Sequence, residues 1–119
     1  MSKLDLIREA LKPFGKTFYG KANPKDGDEW NYYVFRRKRV KKKASTSTDY
    51  KRFYEVAIVK EDYIPENHEF EIINAIEKET KLKLADDDIV IDYTFKGSTD
   101  FVVEVAVITF AETIKGCEA

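Results

Sequence analysis

A chain of 119 residues is the size of one ordinary domain and too short for two. Apolar residues make up 43% of it, and although 36% are charged the signs nearly cancel to a net charge of -1, which excludes a globally disordered chain. Charges every few residues from Lys3 onward leave neither a signal-peptide core nor a membrane-spanning run, and the lone Cys117 forms no internal disulfide, so the expectation is an intracellular protein with no membrane contact.

Ser2 followed by Asp5 is a capping box with Asp in the Glu position, and Leu4, Ile7, Leu11 and Phe14 recur behind it at helical spacing. A helix over residues 3–12 follows, stopped by Pro13 and Gly15. Residues 16–29 hold Gly20, Asn23-Pro24 and Asp26-Gly27 and read as a loop, in which only Thr17-Phe18-Tyr19 is fit for a short extended piece. From Trp30 the chain turns aromatic and β-branched: Trp30, Tyr32, Val34 and Val40 fall on one side of a long strand, Tyr33 and Phe35 on the other. Small polar residues at 44–49 make a hairpin tip, expected to be mobile over about 41–50. The returning strand, 50–60, is apolar on both sides in its middle and belongs in the centre of a sheet.

Pro65 and the acids Glu66, Glu69 and Glu71 open a second helix running to about residue 81, with Phe70, Ile73 and Ile76 as its buried stripe and His68 at its surface. After the acidic turn Asp86-Asp87-Asp88, residues 89–95 and 101–110 form a second hairpin around Lys96-Gly97-Ser98-Thr99-Asp100. Its last strand is again central, and residues 113–119 fray. The order is α-β-β-α-β-β. The expectation is therefore one α+β domain with an ordered core over about 2–112: a two-layer, four-stranded, mainly antiparallel sheet with both helices on one face.

Chemistry is sparse. His68 and Cys117 are the only histidine and cysteine, the Asp86-Asp87-Asp88 turn lacks the alternating spacing of a calcium loop, and no glycine pattern cradles a phosphate ahead of a helix. We therefore expect no catalytic residues, no metal and no cofactor. Charge is distributed more tellingly. Residues 1–60 hold 16 Lys and Arg against 7 Asp and Glu, and residues 61–119 hold 5 against 15, so the halves carry about +9 and -10.

Seven of the eight residues at 36–43 are cationic: Arg36, Arg37, Lys38, Arg39, Lys41, Lys42 and Lys43. Three readings compete. The run is a solvated hairpin end that resists edge-to-edge aggregation; or it contacts nucleic acid through Arg37 and Arg39 with Tyr32, Tyr33 and Phe35 stacking nearby; or it meets an acidic protein surface, including the acidic half of another copy, with Asp86, Asp87 and Asp88 as candidate complement. The acidic second half would repel phosphate, which favours the third.

The capped opening helix ending in Leu11-Lys12-Pro13-Phe14-Gly15, the long hairpin over 30–60 with its polar tip, the second helix, and a closing hairpin ending Ile108-Thr109-Phe110-Ala111-Glu112 together resemble the tail-terminator and tail-completion proteins of long-tailed bacteriophages and prophages. The resemblance spans nearly the whole chain. It implies a non-enzymatic subunit, made in the host bacterial cytoplasm and ending in the virion tail, that assembles with itself into a ring, typically hexameric, capping the tail tube and facing the head connector. It also implies that the hairpin tip orders on assembly.

Overall fold

The computed structural model describes residues 1–44, 48–85 and 88–116. Helix α1 (Lys3–Leu11) starts where the capping box requires: Ser2 Oγ accepts from the Asp5 amide at 3.1 Å and the Asp5 carboxylate accepts from the Ser2 amide at 3.2 Å. Each bond satisfies an N–H that the first helical turn leaves without a partner. Ile7, Ala10 and Leu11 are buried, and a short 3-10 turn over Lys12–Phe14 carries Pro13 out of the helix.

The segment expected to be a loop supplies a strand. β1 (Lys16–Tyr19) runs parallel to β2 (Tyr32–Lys42), pairing Lys16 with Tyr32 and Tyr19 with Phe35. Parallel pairing needs a long crossover, and the turn-rich residues 20–31 provide it. β2 pairs antiparallel with β3 (Tyr50–Glu61), and β3 with β6 (Val102–Ile114) along its whole length. The far side of β6 receives β4 (Lys83–Leu84) and β5 (Val90–Phe95), both antiparallel.

The fold is α+β with two helices and a mixed sheet of six strands, in the order β1-β2-β3-β6-β4 with β5 also on β6. The expected four-stranded sheet is thus extended at both sides, by a parallel strand and by a two-residue strand too short to be legible. Between Leu84 and Val90 the chain advances six positions while its partners on β6 step back only three, from Phe110 to Val107. β4 and β5 therefore form one interrupted edge strand, broken where the acidic turn lies. β3 and β6 are central, as their doubly apolar sequences require.

Helix α2 (His68–Thr80) begins later than Pro65 suggests. Residues 65–67 form a turn instead: Asn67 takes a left-handed conformation at φ 70° and the His68 amide donates to the Pro65 carbonyl at 3.0 Å. The buried stripe is Ile72, Ile73, Ile76 and Thr80, while Phe70 is 53% exposed. One stripe of α-helical width already holds those four positions, which puts Phe70 outside it. Thr80 satisfies its own burial, donating to the Ile76 carbonyl at 2.6 Å and accepting from the Leu82 amide at 3.0 Å. Lys3 Nζ donates to the Thr80 carbonyl and ties the start of α1 to the end of α2.

Both helices cover one face of the sheet, where Ile7, Leu11, Ile72 and Ile76 meet Tyr33, Phe35, Tyr54, Val56, Ile58, Ala106, Ile108 and Phe110. A smaller cluster on the opposite face joins Tyr32, Val59 and Val103 to Trp30, Val34 and Val105. The carboxyl-terminal segment departs from the expected fraying: β6 reaches Ile114, opposite Tyr50, and the Gly116 amide donates to Asp49 Oδ1 at 3.1 Å. The expected mobile stretch is shorter as well, because Lys41 and Lys42 pair with Lys51 and Tyr50 and the Lys43 amide bonds the Asp49 carbonyl. Residues 45–47 of the tip and 117–119 of the tail lie outside the described residues. Among the described residues no helix is long and apolar enough to cross a membrane.

Candidate functional site

The basic run lies on the distal half of β2. β1 pairs with β2 only as far as Phe35, so from Arg36 to the end of the strand no described strand pairs with its outer side. On the inner side β3 continues, and the hairpin forms an arm at the end of a molecule 51 Å long and 27 Å by 25 Å across.

The strict alternation expected along this strand breaks at Lys38. Arg37 lies opposite Tyr54 and Arg39 opposite Phe53, so Lys38 is an extra residue, a β-bulge. Before the bulge the odd positions Tyr33, Phe35 and Arg37 share the helix-bearing face. Beyond it Val40 and Lys42 take that face, contrary to the placement of Val40 beside Tyr32 and Val34, and Arg39 and Lys41 turn to the other.

On that other face Arg36, Lys38, Arg39, Lys41 and Lys51 crowd together around one carboxylate. Glu55 accepts from Arg36 at 2.6 Å and lies 3.9 Å from Lys38, whose ammonium also donates to Thr109 Oγ1 at 3.2 Å. Arg39 sits 4.2 Å above the Phe53 ring and Lys51 5.4 Å from it, two cations against one ring. Lys41 stands directly opposite Lys51. Like charges in that register destabilise a hairpin, and no salt bridge to either lysine is described. Between the start of α1 and the arm a hollow of about 390 Å³ opens, with Arg37, Arg52, Leu4 and Val40 in its lining. Beneath it the Tyr54 hydroxyl donates to Glu112 at 2.8 Å, and burial together with that carboxylate pushes its pKa up to about 12.

The structure separates several residues that the sequence suggested together. Asp86 and Asp87 lie outside the described residues, and Asp88 is exposed in the connection before β5. β2 and β5 are separated by β3 and β6, three strand spacings or roughly 14 Å. The three aromatics proposed to stack on bases are core residues: Tyr33 and Phe35 are 1% exposed and Tyr32 8%, so their rings face protein and offer no platform to a nucleobase.

His68 is not a surface residue either. Its Nε2 lies 2.6 Å from the Tyr33 hydroxyl, its Nδ1 lies 3.2 Å from Glu71, and Phe14 packs edge-on to its ring. With the proton on Nδ1, the imidazole accepts from Tyr33 and donates to Glu71, fastening the first turn of α2 to β2. Burial, helped by the Glu71 charge, raises the Tyr33 hydroxyl to about 12. A lone histidine at a helix start gives no sequence signal for this.

A second surface escaped the sequence reading. Every residue of β5 is exposed, including Val90, Ile91, Tyr93 and Phe95, and Phe101 and Val102 beside it are exposed too. The alternation of Ile91, Tyr93 and Phe95 with Asp92 and Thr94 reads as a half-buried strand, yet among the described residues no element buries either side. Among the described residues, no group of three or more His, Cys, Asp and Glu is placed to hold a metal ion. No protein-family model matches the chain, and no curated protein matches it in sequence.

Proposed function

We propose that this protein is a non-enzymatic structural assembly protein of a phage or prophage tail, a tail-terminator or tail-completion subunit that forms a ring at the head-to-tail junction. The observation that carries the reading is the arm: a strand and its turn with seven cations at positions 36–43, an outer edge no described strand pairs with, and a Lys41–Lys51 repulsion that a partner's carboxylates would relieve. Such an arrangement costs stability in the monomer and gains it back on contact with an acidic surface. The partners in this reading are other copies of the chain, the tail-tube protein and the head connector.

Sedimentation velocity across a series of salt concentrations tests it. Self-association and capture of tail-tube protein are expected at low salt and weaken as salt rises, because exposed charges are screened beyond about 10 Å at 0.1 M. A monomer at every concentration and salt, with no capture of tail-tube protein, overturns the reading.

Nucleic-acid binding through the same cations is the competing reading, favoured by the arginines that line the hollow beside α1. It now rests on charge alone, since its aromatic half is buried. Titration with single- and double-stranded oligonucleotides separates the two, and absence of binding at low salt removes it.

A further inference from the structure

The two open sides of the sheet differ in a complementary way. One is the outer edge of β2 over residues 36–42, and the other is β5, which among the described residues pairs with β6 alone. Seven residues of free edge face outward on the first and six on the second. An unpaired edge strand is a template for another strand, and soluble proteins ordinarily bulge, shorten or cover such edges. Here the bulge at Lys38 and the cations guard the β2 edge against a copy of itself, because two such arms brought side by side would repel. β5 has no such guard: it is unbulged, and its only charged side chain is Asp92.

Side-chain placement makes the pairing specific. Register puts Ile91, Tyr93 and Phe95 on the helix-bearing face, next to Ala106, Glu104 and Val102, and puts Asp92 on the opposite face next to Val105. If β2 of a second copy continues the sheet beyond β5 with its helices on the same side, Asp92 and the nearby Asp88 meet the face that carries Arg36, Lys38, Arg39 and Lys41. On the other side, the aromatic row meets the hollow lined by Leu4, Val40 and Arg37, where a guanidinium over Tyr93 is a favourable cation–π arrangement. Both faces then match, acid to base and apolar to apolar.

We infer that β5 is the receiving edge for the basic β2 arm of a second copy of this chain, joining subunits head to tail in one continuous sheet. The contact rests on the self-assembly reading above and adds its geometry. It is heterologous, so each subunit uses its β5 edge on one side and its β2 arm on the other, the kind of contact that closes into a ring or runs on as a filament. Backbone hydrogen bonds supply affinity, and the alternating side chains set register and direction.

Two variants test it by complementation. Asp92→Lys with Tyr93→Lys closes the β5 edge and leaves the arm intact; Arg37→Glu with Lys41→Glu puts one carboxylate on each face of the arm, cuts its charge from +7 to +3, and leaves β5 intact. All four positions are exposed, and thermal melts check that both variants fold. Each variant alone is expected to sediment as a monomer under conditions where the parent assembles, and an equimolar mixture is expected to give a one-to-one dimer, because each variant supplies the edge that the other lacks. A β5 variant that assembles like the parent, or a mixture that stays monomeric, overturns this contact while leaving self-assembly standing. A monomeric parent at all concentrations and salts overturns the self-assembly reading and the contact with it. Hydrogen exchange on the unaltered protein gives a measurement that needs no variant: on assembly the outward amides of β5 slow by about tenfold or more, and unchanged exchange there in an assembled sample also overturns the contact.

Discussion

The middle of the sheet and its two margins are built on opposite terms. Under the helices, β3 and β6 bury Val56, Ile58, Ala106, Ile108 and Phe110 completely, and each strand is paired on both sides. At the margins, β5 exposes all six of its residues, and the distal half of β2 gathers cations that repel one another. The middle holds the fold; the margins expose apolar and like-charged side chains that no described element covers. Changes in the two regions should therefore have separable effects, on melting in the one and on association in the other.

The largest effect is expected in the middle. Phe110→Ala removes a fully buried ring between both helices and the sheet and should cost about 3–5 kcal/mol, read as a fall in Tm of roughly 10–20 °C. A loss below about 1 kcal/mol would show that this half is less tightly built than its burial implies.

Next comes the junction between β2 and α2. Tyr33→Phe should cost about 1–2 kcal/mol at neutral pH, since it leaves His68 Nε2 without its hydroxyl. Tyr33 and Tyr54 also predict an alkaline transition. Both hydroxyls ionise near 10.0 in the unfolded chain and near 12 in the folded one. The folded state thus keeps protons that the unfolded state has lost, so the contribution of these two hydroxyls is full below about pH 10 and is lost between 10 and 12. Denaturant melts over that range measure it, and Tyr33→Phe should flatten the slope.

The smallest effect, and the one that sharpens the contrast most, is at the arm. Lys51→Glu replaces a like-charge pair with an opposite one across from Lys41 and should raise stability by roughly 0.2–1 kcal/mol while weakening self-association. A change that stabilises the monomer and loosens the assembly is the expected mark of a residue placed for contact. Were association unaffected, the arm would be a solvated end and no more.

Much of the covered middle was legible in the residues themselves. The capping box at Ser2 and Asp5, the doubly apolar strands that became β3 and β6, and the α+β class all follow from local patterns that tertiary contacts reinforce. The margins were less legible because partners decide them. Thr17-Phe18-Tyr19 has little strand signal until β2 lies beside it, and Lys83-Leu84 is too short for any periodicity. Burial of Tyr32, Tyr33 and Phe35 depends on which face the helices take, and the alternation in β5 is the same whether or not something covers it. The charge run was plain from the outset, but its division between the two faces was not, because a bulge leaves no mark in an all-cationic stretch.

That bulge gives the arm its sidedness. Lys38 is one residue in excess, and everything beyond it is rotated by half a turn relative to the strand behind it. In a regular ladder that kept Lys38, Arg39 and Lys41 would fall on the helix-bearing face and Val40 on the opposite one, whereas deleting Lys38 would leave Arg39 opposite Phe53 and Val40 opposite Arg52 and subtract only its charge. The sidedness of the arm is thus written into the spacing of the backbone, set by one surplus residue and not by the composition of the run.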